Sequence, residues 1–156
     1  MRLWHYELLP YLPDAQFKGQ LRELVAIMHD WRDKGKTNHL LINKVMEYPK
    51  DELSQYFWEY ACEYHKRYNK DLQKYVEEFN LFSLNTKRAF RSIKSTYLFE
   101  NWHDYEYLRV CMANLYEKHF FGVGKSRITD KEWQRLLDGY KAITGEDYEI
   151  LWLHRM

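Results

Sequence analysis

Apolar side chains that recur every three or four residues constrain this chain more than any other feature. Phe17, Leu21, Leu24, Met28 and Trp31 form one such run, the spacing of a helix with a single buried stripe and not the period of two that a half-buried strand needs. Turn-forming residues point the same way. Only 6 Gly and 3 Pro serve 156 residues, too few for an all-β chain that must turn about every ten residues. The expected fold class is all-α: a compact helical single domain over residues 1–119, with an additional C-terminal helical extension, residues 120–156, packed on it. A chain of this length can bury a substantial core.

Pro13-Asp14 opens the first helix, with Asp14 as its expected N-cap, and Lys34-Gly35-Lys36 ends it. Residues 37–48 are ambiguous; a short helix there would hold Leu40, Leu41 and Val45. Pro49 starts a second helix with Asp51 and Glu52 near its positive end, running through Leu53, Phe57, Tyr60, Ala61 and Tyr64. A third is expected around Leu72 to Phe79, after a break near Asn69. A fourth covers roughly 103 to 119 with Leu108, Met112 and Leu115 facing inward. Gly122 and Gly124 interrupt the chain. Thr129 and Glu132 form a capping-box pattern ahead of Trp133, Leu136, Leu137 and Tyr140, and Gly145 stops that helix.

Charge and composition exclude several classes. Lys and Arg number 24 against 23 acidic residues, so the formal net charge of +1 gives a nucleic-acid enzyme no support by itself. Cys62 and Cys111, the only cysteines, suit a reducing compartment and no disulfide framework. Met1-Arg2-Leu3-Trp4-His5 lacks the apolar run of a signal peptide, and no window approaches a membrane span. The expectation is a cytoplasmic protein, nucleoid-associated in a bacterium, with no membrane partner. Aromatic residues reach 18%, which leaves rings over for a surface that binds something flat.

Several constellations are candidates for chemistry. Gly19, Glu23 and Ala26 lie opposite the apolar stripe of the first helix, so the carboxylate is flanked by two small residues and open to a bulky partner. Lys18 and Arg22, beside that face, are spaced to reach phosphates. A solvated helix edge has the same pattern. Between Ser83 and Phe99 there is no acid, while Lys87, Arg88, Arg91 and Lys94 all occur; this is a nucleic-acid surface or an exposed helix face. Cys62-x-x-His65 with Cys111 and His119 has the residue types of a metal site, but a buried cysteine and a helix-surface histidine are the commoner account, and no metal is expected. Gly122-Val123-Gly124-Lys125-Ser126 fails as a phosphate loop, because His119 stands where that motif needs Gly and no strand precedes it. Tyr56, Phe57, Trp58 and Tyr60 circle their helix, and most of these rings are expected in the core.

Arg2-Leu3-Trp4, Leu8, Leu12-Pro13-Asp14, Gln16, Gly19-Gln20 and Arg22-Glu23-Leu24 together resemble the pyrimidine-dimer DNA glycosylase family. This is the small helical endonuclease V type that joins base excision to AP-lyase activity, and the resemblance is greatest to bacterial relatives beginning Met-Arg-Leu-Trp-His. It thins through His39, Asn43, Pro49 and Leu53, then resumes at His103, Tyr107-Leu108, Cys111, Asn114-Leu115 and Lys118. Residues 120–156 carry none of it.

The resemblance implies that the α-amine of the first residue attacks C1′ of a damaged nucleotide and forms a Schiff base. Met1 occupies that place, because Arg2 follows it directly and a residue so large blocks removal of the initiator. A free α-amine has a pKa of roughly 7.7–8.0 against about 10.4 for Lys, so a useful fraction is unprotonated at neutral pH. Glu23 matches the family glutamate, which would stabilise charge developing at the sugar and assist the proton movements of β-elimination. The residues implied to hold DNA are Arg2, Gln16, Lys18, Gly19 and Arg22, with Lys87, Arg88 and Arg91 from the basic stretch. Two departures stand out: Ala15-Gln16 replaces a Gln-His pair, and Ala26 stands where the family has a further Arg. The implied partner is double-stranded DNA with a damaged or abasic nucleotide, a pyrimidine dimer by family default, and no cofactor is implied. A different class remains open: a non-catalytic DNA- or protein-binding module on the same fold, with residues 120–156 supplying a protein-partner surface. A nucleotide- or RNA-directed activity on the same amine is a third.

Overall fold

A computed structural model describes residues 2–84 and 98–150. The described residues form no strand, and the fold is all-α: α1 (Asp14–Lys34), α2 (Lys50–Tyr68), α3 (Gln73–Ser83), α4 (Tyr105–Phe120) and α5 (Asp130–Thr144), with 3₁₀ helices at Tyr6–Tyr11, Ile42–Glu47 and Gly124–Ser126. The basic stretch with Lys87, Arg88, Arg91 and Lys94 lies outside the described residues, as does Met1.

Helix α1 buries Phe17, Leu24, Ile27 and Met28, with Leu21 and Trp31 half-buried at the margins of the stripe. It ends where Gly35 turns left-handed (φ 71°) and returns its N–H to Trp31 O at 3.0 Å. Its start differs from the sequence expectation. Pro13 takes the cap position without a side-chain bond, and Asp14 is the first helical residue. The Asp14 carboxylate is drawn instead to α2, where it accepts the Tyr68 hydroxyl at 2.7 Å and meets Arg67 at 3.4 Å.

Helix α2 places Tyr56, Phe57 and Tyr60 inside and leaves Trp58 half in solvent. Phe57 stacks on Phe79 of α3 with centroids 4.2 Å apart, and Trp31 of α1 meets Phe82 edge-on at 5.2 Å. Asn69, in a left-handed conformation, ends α2. The short helix expected within residues 37–48 exists only as the 3₁₀ helix Ile42–Glu47. It buries Ile42 and Val45, while Leu40 and Leu41 precede it and are 88% and 87% exposed. The Thr37 hydroxyl donates to Asn43 Oδ1 at 2.8 Å and the Thr37 N–H to the same oxygen at 2.7 Å, which closes the loop so that the two leucines ride outside it.

Residues 98–103 bring Leu98, Phe99, Trp102 and His103 into the core, anchored where the Phe99 N–H donates to the buried Glu52 carboxylate at 3.0 Å. Asp104 then caps α4 by accepting from Tyr107 N at 2.8 Å. The Thr129–Glu132 capping box starts α5, and Gly145 (φ 78°) ends it. Helix α5 lies against α4 and against the 3₁₀ helix Tyr6–Tyr11. Its Trp133, Leu136 and Tyr140 are buried, and Arg135 donates to Pro10 O at 2.6 Å. Gly139 makes this approach possible, since a Cβ there would fall 2.4 Å from Cγ of Tyr11.

Gly139→Ala is therefore expected to destabilise the protein by about 1–3 kcal/mol through overpacking, whereas Gly19→Ala, whose Cβ meets nothing within 4 Å, should gain about 0.5–1 kcal/mol of helix propensity. Thermal melts of the two variants check the opposite signs.

Candidate functional site

The site is organised around a short extended segment that has no strand partner. Residues 2–5 run through the molecule without regular structure, and Leu3, Trp4 and His5 are buried. Their main-chain groups must find partners away from water, and side chains of three helices supply them. From α1, the Gln20 amide accepts from Trp4 N at 2.8 Å and donates to Arg2 O at 2.8 Å. From α2, the Tyr56 hydroxyl donates to Trp4 O at 2.6 Å. From α4, the Tyr107 hydroxyl donates to Leu3 O at 2.5 Å. Just ahead of α4, His103 Nδ1 accepts from Tyr6 N at 3.2 Å. The segment is held by side chains as a strand would be held by a sheet.

Glu23 completes this arrangement. Its Oε2 accepts from Arg2 N at 3.0 Å, and the Gln20 amide approaches the same oxygen at 3.4 Å. The carboxylate is thus half-buried and fixed against the peptide group that joins Met1 to Arg2. The Arg2 guanidinium lies over the Trp4 ring at 4.8 Å, and its Nη1 is buried without a hydrogen-bond partner among the described residues. One helical turn before Glu23, Gly19 faces open space.

The other proposed DNA-contact residues are distributed differently. Arg22 is exposed. Lys18 is exposed too, with its ammonium 5.1 Å from the Tyr68 ring centroid. Gln16 is buried, and its Nε2 donates to Ser126 O at 3.1 Å, tying α1 to the loop between α4 and α5. Met1, Lys87, Arg88 and Arg91 lie outside the described residues. The metal reading does not assemble: Cys62 is exposed, Cys111 is buried, and no group of three or more ligand side chains occurs among the described residues. A groove of about 440 Å³ opens elsewhere, between Pro10, Tyr11, Lys66, Arg67, Arg135 and Asp138. Two guanidinium groups there, Arg67 and Arg135, are already spent on Pro10 O.

Electrostatics under the segment are set by burial. His5 and His103 stack with centroids 5.2 Å apart, and each Nδ1 accepts a main-chain N–H. Each neutral ring therefore carries its proton on Nε2, where neither has a partner among the described residues. Desolvation pushes His5 down to about 4 and His103 well below its ordinary value. Burial likewise raises the Cys111 thiol to about 11 and lifts the Tyr107 hydroxyl far above the usual tyrosine range. Both stay protonated near neutrality. On α2, desolvation and the neighbouring Glu7 raise Glu59 to about 7.

Sequence reasoning passed over Gln20, Tyr56, His103, Tyr107 and Cys111 as site residues. Gln20 carried a signal. It sits between Phe17 and Leu24 on the apolar stripe, and a polar residue there must find a buried partner. The three α4-side residues appear only as scattered points of family resemblance, and nothing in their spacing relates them to residues 2–6.

These ionisations have opposite consequences for stability. His5 is depressed in the folded state, so the unfolded chain binds more protons below about pH 6.5 and stability falls with pH toward 4. Glu59 is raised, so its protonation below pH 7 offsets that loss. In a Glu59→Gln variant the combined His5 and His103 contribution should emerge as a loss of at least about 2 kcal/mol between pH 7 and pH 5, read from urea unfolding. A flat profile would mean that the rings are charged in the folded protein.

With this geometry in view, the comparisons are consistent with one family. The pyrimidine dimer DNA glycosylase family model matches residues 1–76. No curated protein and no solved structure matches the chain. The matched segment contains Arg2, Gln20, Glu23 and Tyr56, and over these first 76 residues the chain is similar to the pyrimidine dimer DNA glycosylase family.

Proposed function

We propose that this protein is a DNA glycosylase with AP-lyase activity on damaged duplex DNA, acting through the α-amine of Met1. The observation that carries the reading is the 3.0 Å bond from Arg2 N to Glu23 Oε2. It holds a carboxylate against the peptide unit that bears the amine. The unprotonated amine attacks C1′ as the bond from C1′ to the damaged base breaks, and the sugar opens to a Schiff base. Glu23 stabilises the positive charge that develops at C1′. It then serves as the proton acceptor at C2′, so that the C3′–O bond breaks by β-elimination. The iminium that the amine forms is the electron sink for loss of the C2′ proton, and this chemistry calls for no metal or organic cofactor.

Substrate binding follows from the same surroundings. Arg2 Nη1, without a partner among the described residues, and the exposed Arg22 guanidinium, one residue from Glu23, are donors for phosphates. Lys18 and the open face at Gly19 admit the backbone of a duplex with a nucleotide turned outward. Damaged or abasic sites are the easiest to extrude, and a pyrimidine dimer is the lesion we assign first.

Borohydride reduction with an abasic duplex should trap a covalent adduct that maps to Met1. Glu23→Gln should lower strand cleavage by more than about a hundredfold, the scale of a lost general acid–base, while duplex affinity stays within a few-fold. A folded wild type that gives no adduct beside a working control would overturn the reading.

One observation favours a second reading in which residues 120–156 bind a protein. Phe120, Phe121 and Val123 stand exposed together where α4 ends. Salt separates the two. DNA affinity resting on several phosphates should fall steeply between 50 and 200 mM salt, by about a hundredfold or more, whereas an apolar protein interface should respond only modestly.

A further inference from the structure

We infer that Tyr107 of α4 is a positioning residue for the N-terminal nucleophile, an assignment that rests on the amine reading above. Four observations lead to it. The Tyr107 hydroxyl donates to Leu3 O, two residues from Met1 in sequence. It is the contact on that carbonyl from the side opposite α1, while Gln20 and Glu23 of α1 hold Arg2. The ring is fixed in turn, stacked on His103 at 4.8 Å and tilted against Trp102 at 5.7 Å. Tyr107 also lies beyond residues 1–76, so the element that grips the segment from this side is supplied by the half of the chain outside the family match.

The physical argument concerns register. Leu3 C=O and Trp4 N–H are opposite edges of one planar peptide; Gln20 holds its N–H edge, and the Tyr107 hydroxyl holds its C=O edge. Gripped at both edges, the peptide tilts and shifts less than it would under Gln20 alone. The amine three bonds ahead of Arg2 N then sweeps a smaller volume around Glu23, and orientation of this kind is what makes an attached nucleophile effective. Tyr107 touches neither the sugar nor the base in this account. It acts through the main chain, and its loss should slow covalent attack without weakening DNA binding.

The test compares Tyr107→Phe with Tyr105→Phe, which deletes another tyrosine hydroxyl on α4, one that donates to Ile143 O at 3.1 Å far along the chain. Single-turnover borohydride trapping on an abasic duplex gives the rate of Schiff-base formation, and titration of the same duplex gives affinity. Tyr107→Phe should slow trapping about tenfold, the rate equivalent of one lost hydrogen bond, with affinity within about twofold and the pH midpoint of the rate unmoved. Tyr105→Phe should match wild type in both. Hydrogen exchange adds a readout independent of catalysis: the Trp4 amide should exchange faster in Tyr107→Phe alone. A trapping rate unchanged in Tyr107→Phe, or equal losses of rate and affinity in both variants, overturns the positioning role. A wild type that forms no adduct overturns the amine reading and the positioning role with it, whereas a reactive wild type with an unaffected Tyr107→Phe overturns the positioning role alone.

Discussion

The primary amide of Gln20 is the contact on which the site depends. An extended segment buried among helices has no ladder to satisfy its main chain, and every unmade bond there costs about 1–3 kcal/mol. Gln20 has one acceptor and one donor group on a short, stiff plane, and it is fully buried. It can therefore accept from Trp4 N and donate to Arg2 O at once, which no ionised carboxylate at that position could do. Its amide also reaches Glu23 Oε2. One side chain thus sets the height of the segment over α1 and orients the carboxylate toward Arg2.

The electrostatic design is local. A formal net charge of +1 is no attraction for a polyanion, and the described site makes no general basic field. What it has is the Arg2 guanidinium, with a donor unpartnered among the described residues, and the exposed Arg22 next to Glu23 in sequence. Beneath them the residues that could carry charge do not. His5 and His103 are neutral, and the thiol of Cys111 and the phenol of Tyr107 keep their protons. An uncharged floor would matter for the amine chemistry proposed above. Nearby cations would hold the amine unprotonated but repel the iminium, and extra carboxylates would keep the amine protonated and inert.

Much of the fold was legible in the sequence because helices advertise themselves through period and caps. The stripe of α1, the capping box at Thr129 and Glu132 and the terminal glycines at Gly35 and Gly145 all appear as read. Errors arose where a local pattern competed with a tertiary partner. Asp14 looks like a cap, yet Tyr68 and Arg67 claim its carboxylate. Leu40 and Leu41 look like core, yet the Thr37–Asn43 bonds close a loop that excludes them. The abundance of tyrosine also has an internal use. Tyr48, Tyr56, Tyr60 and Tyr107 each donate a hydroxyl to a main-chain carbonyl distant in sequence, so these rings act as cross-braces between elements. Composition shows how many rings there are but not which carbonyls they meet. Glu23 was legible as a candidate from its small neighbours and from family resemblance; its bond to Arg2 N was not, since twenty-one residues separate them.

The division between the family-matched half and the remainder does not follow the division of labour. Residues 1–76 provide Gln20, Glu23 and Tyr56, which satisfy Arg2 and Trp4. They leave Leu3 O and Tyr6 N to Tyr107 and His103. The same 3₁₀ helix that follows the segment is covered by α5, with Gly139 against Tyr11 and Arg135 on Pro10 O. The first two dozen residues therefore depend on residues far along the chain for partners to their own main chain. His103 and Tyr107 meet the segment from beyond the matched residues, and their sequence distance from Glu23 measures only the length of the path the chain takes to return to residues 2–6.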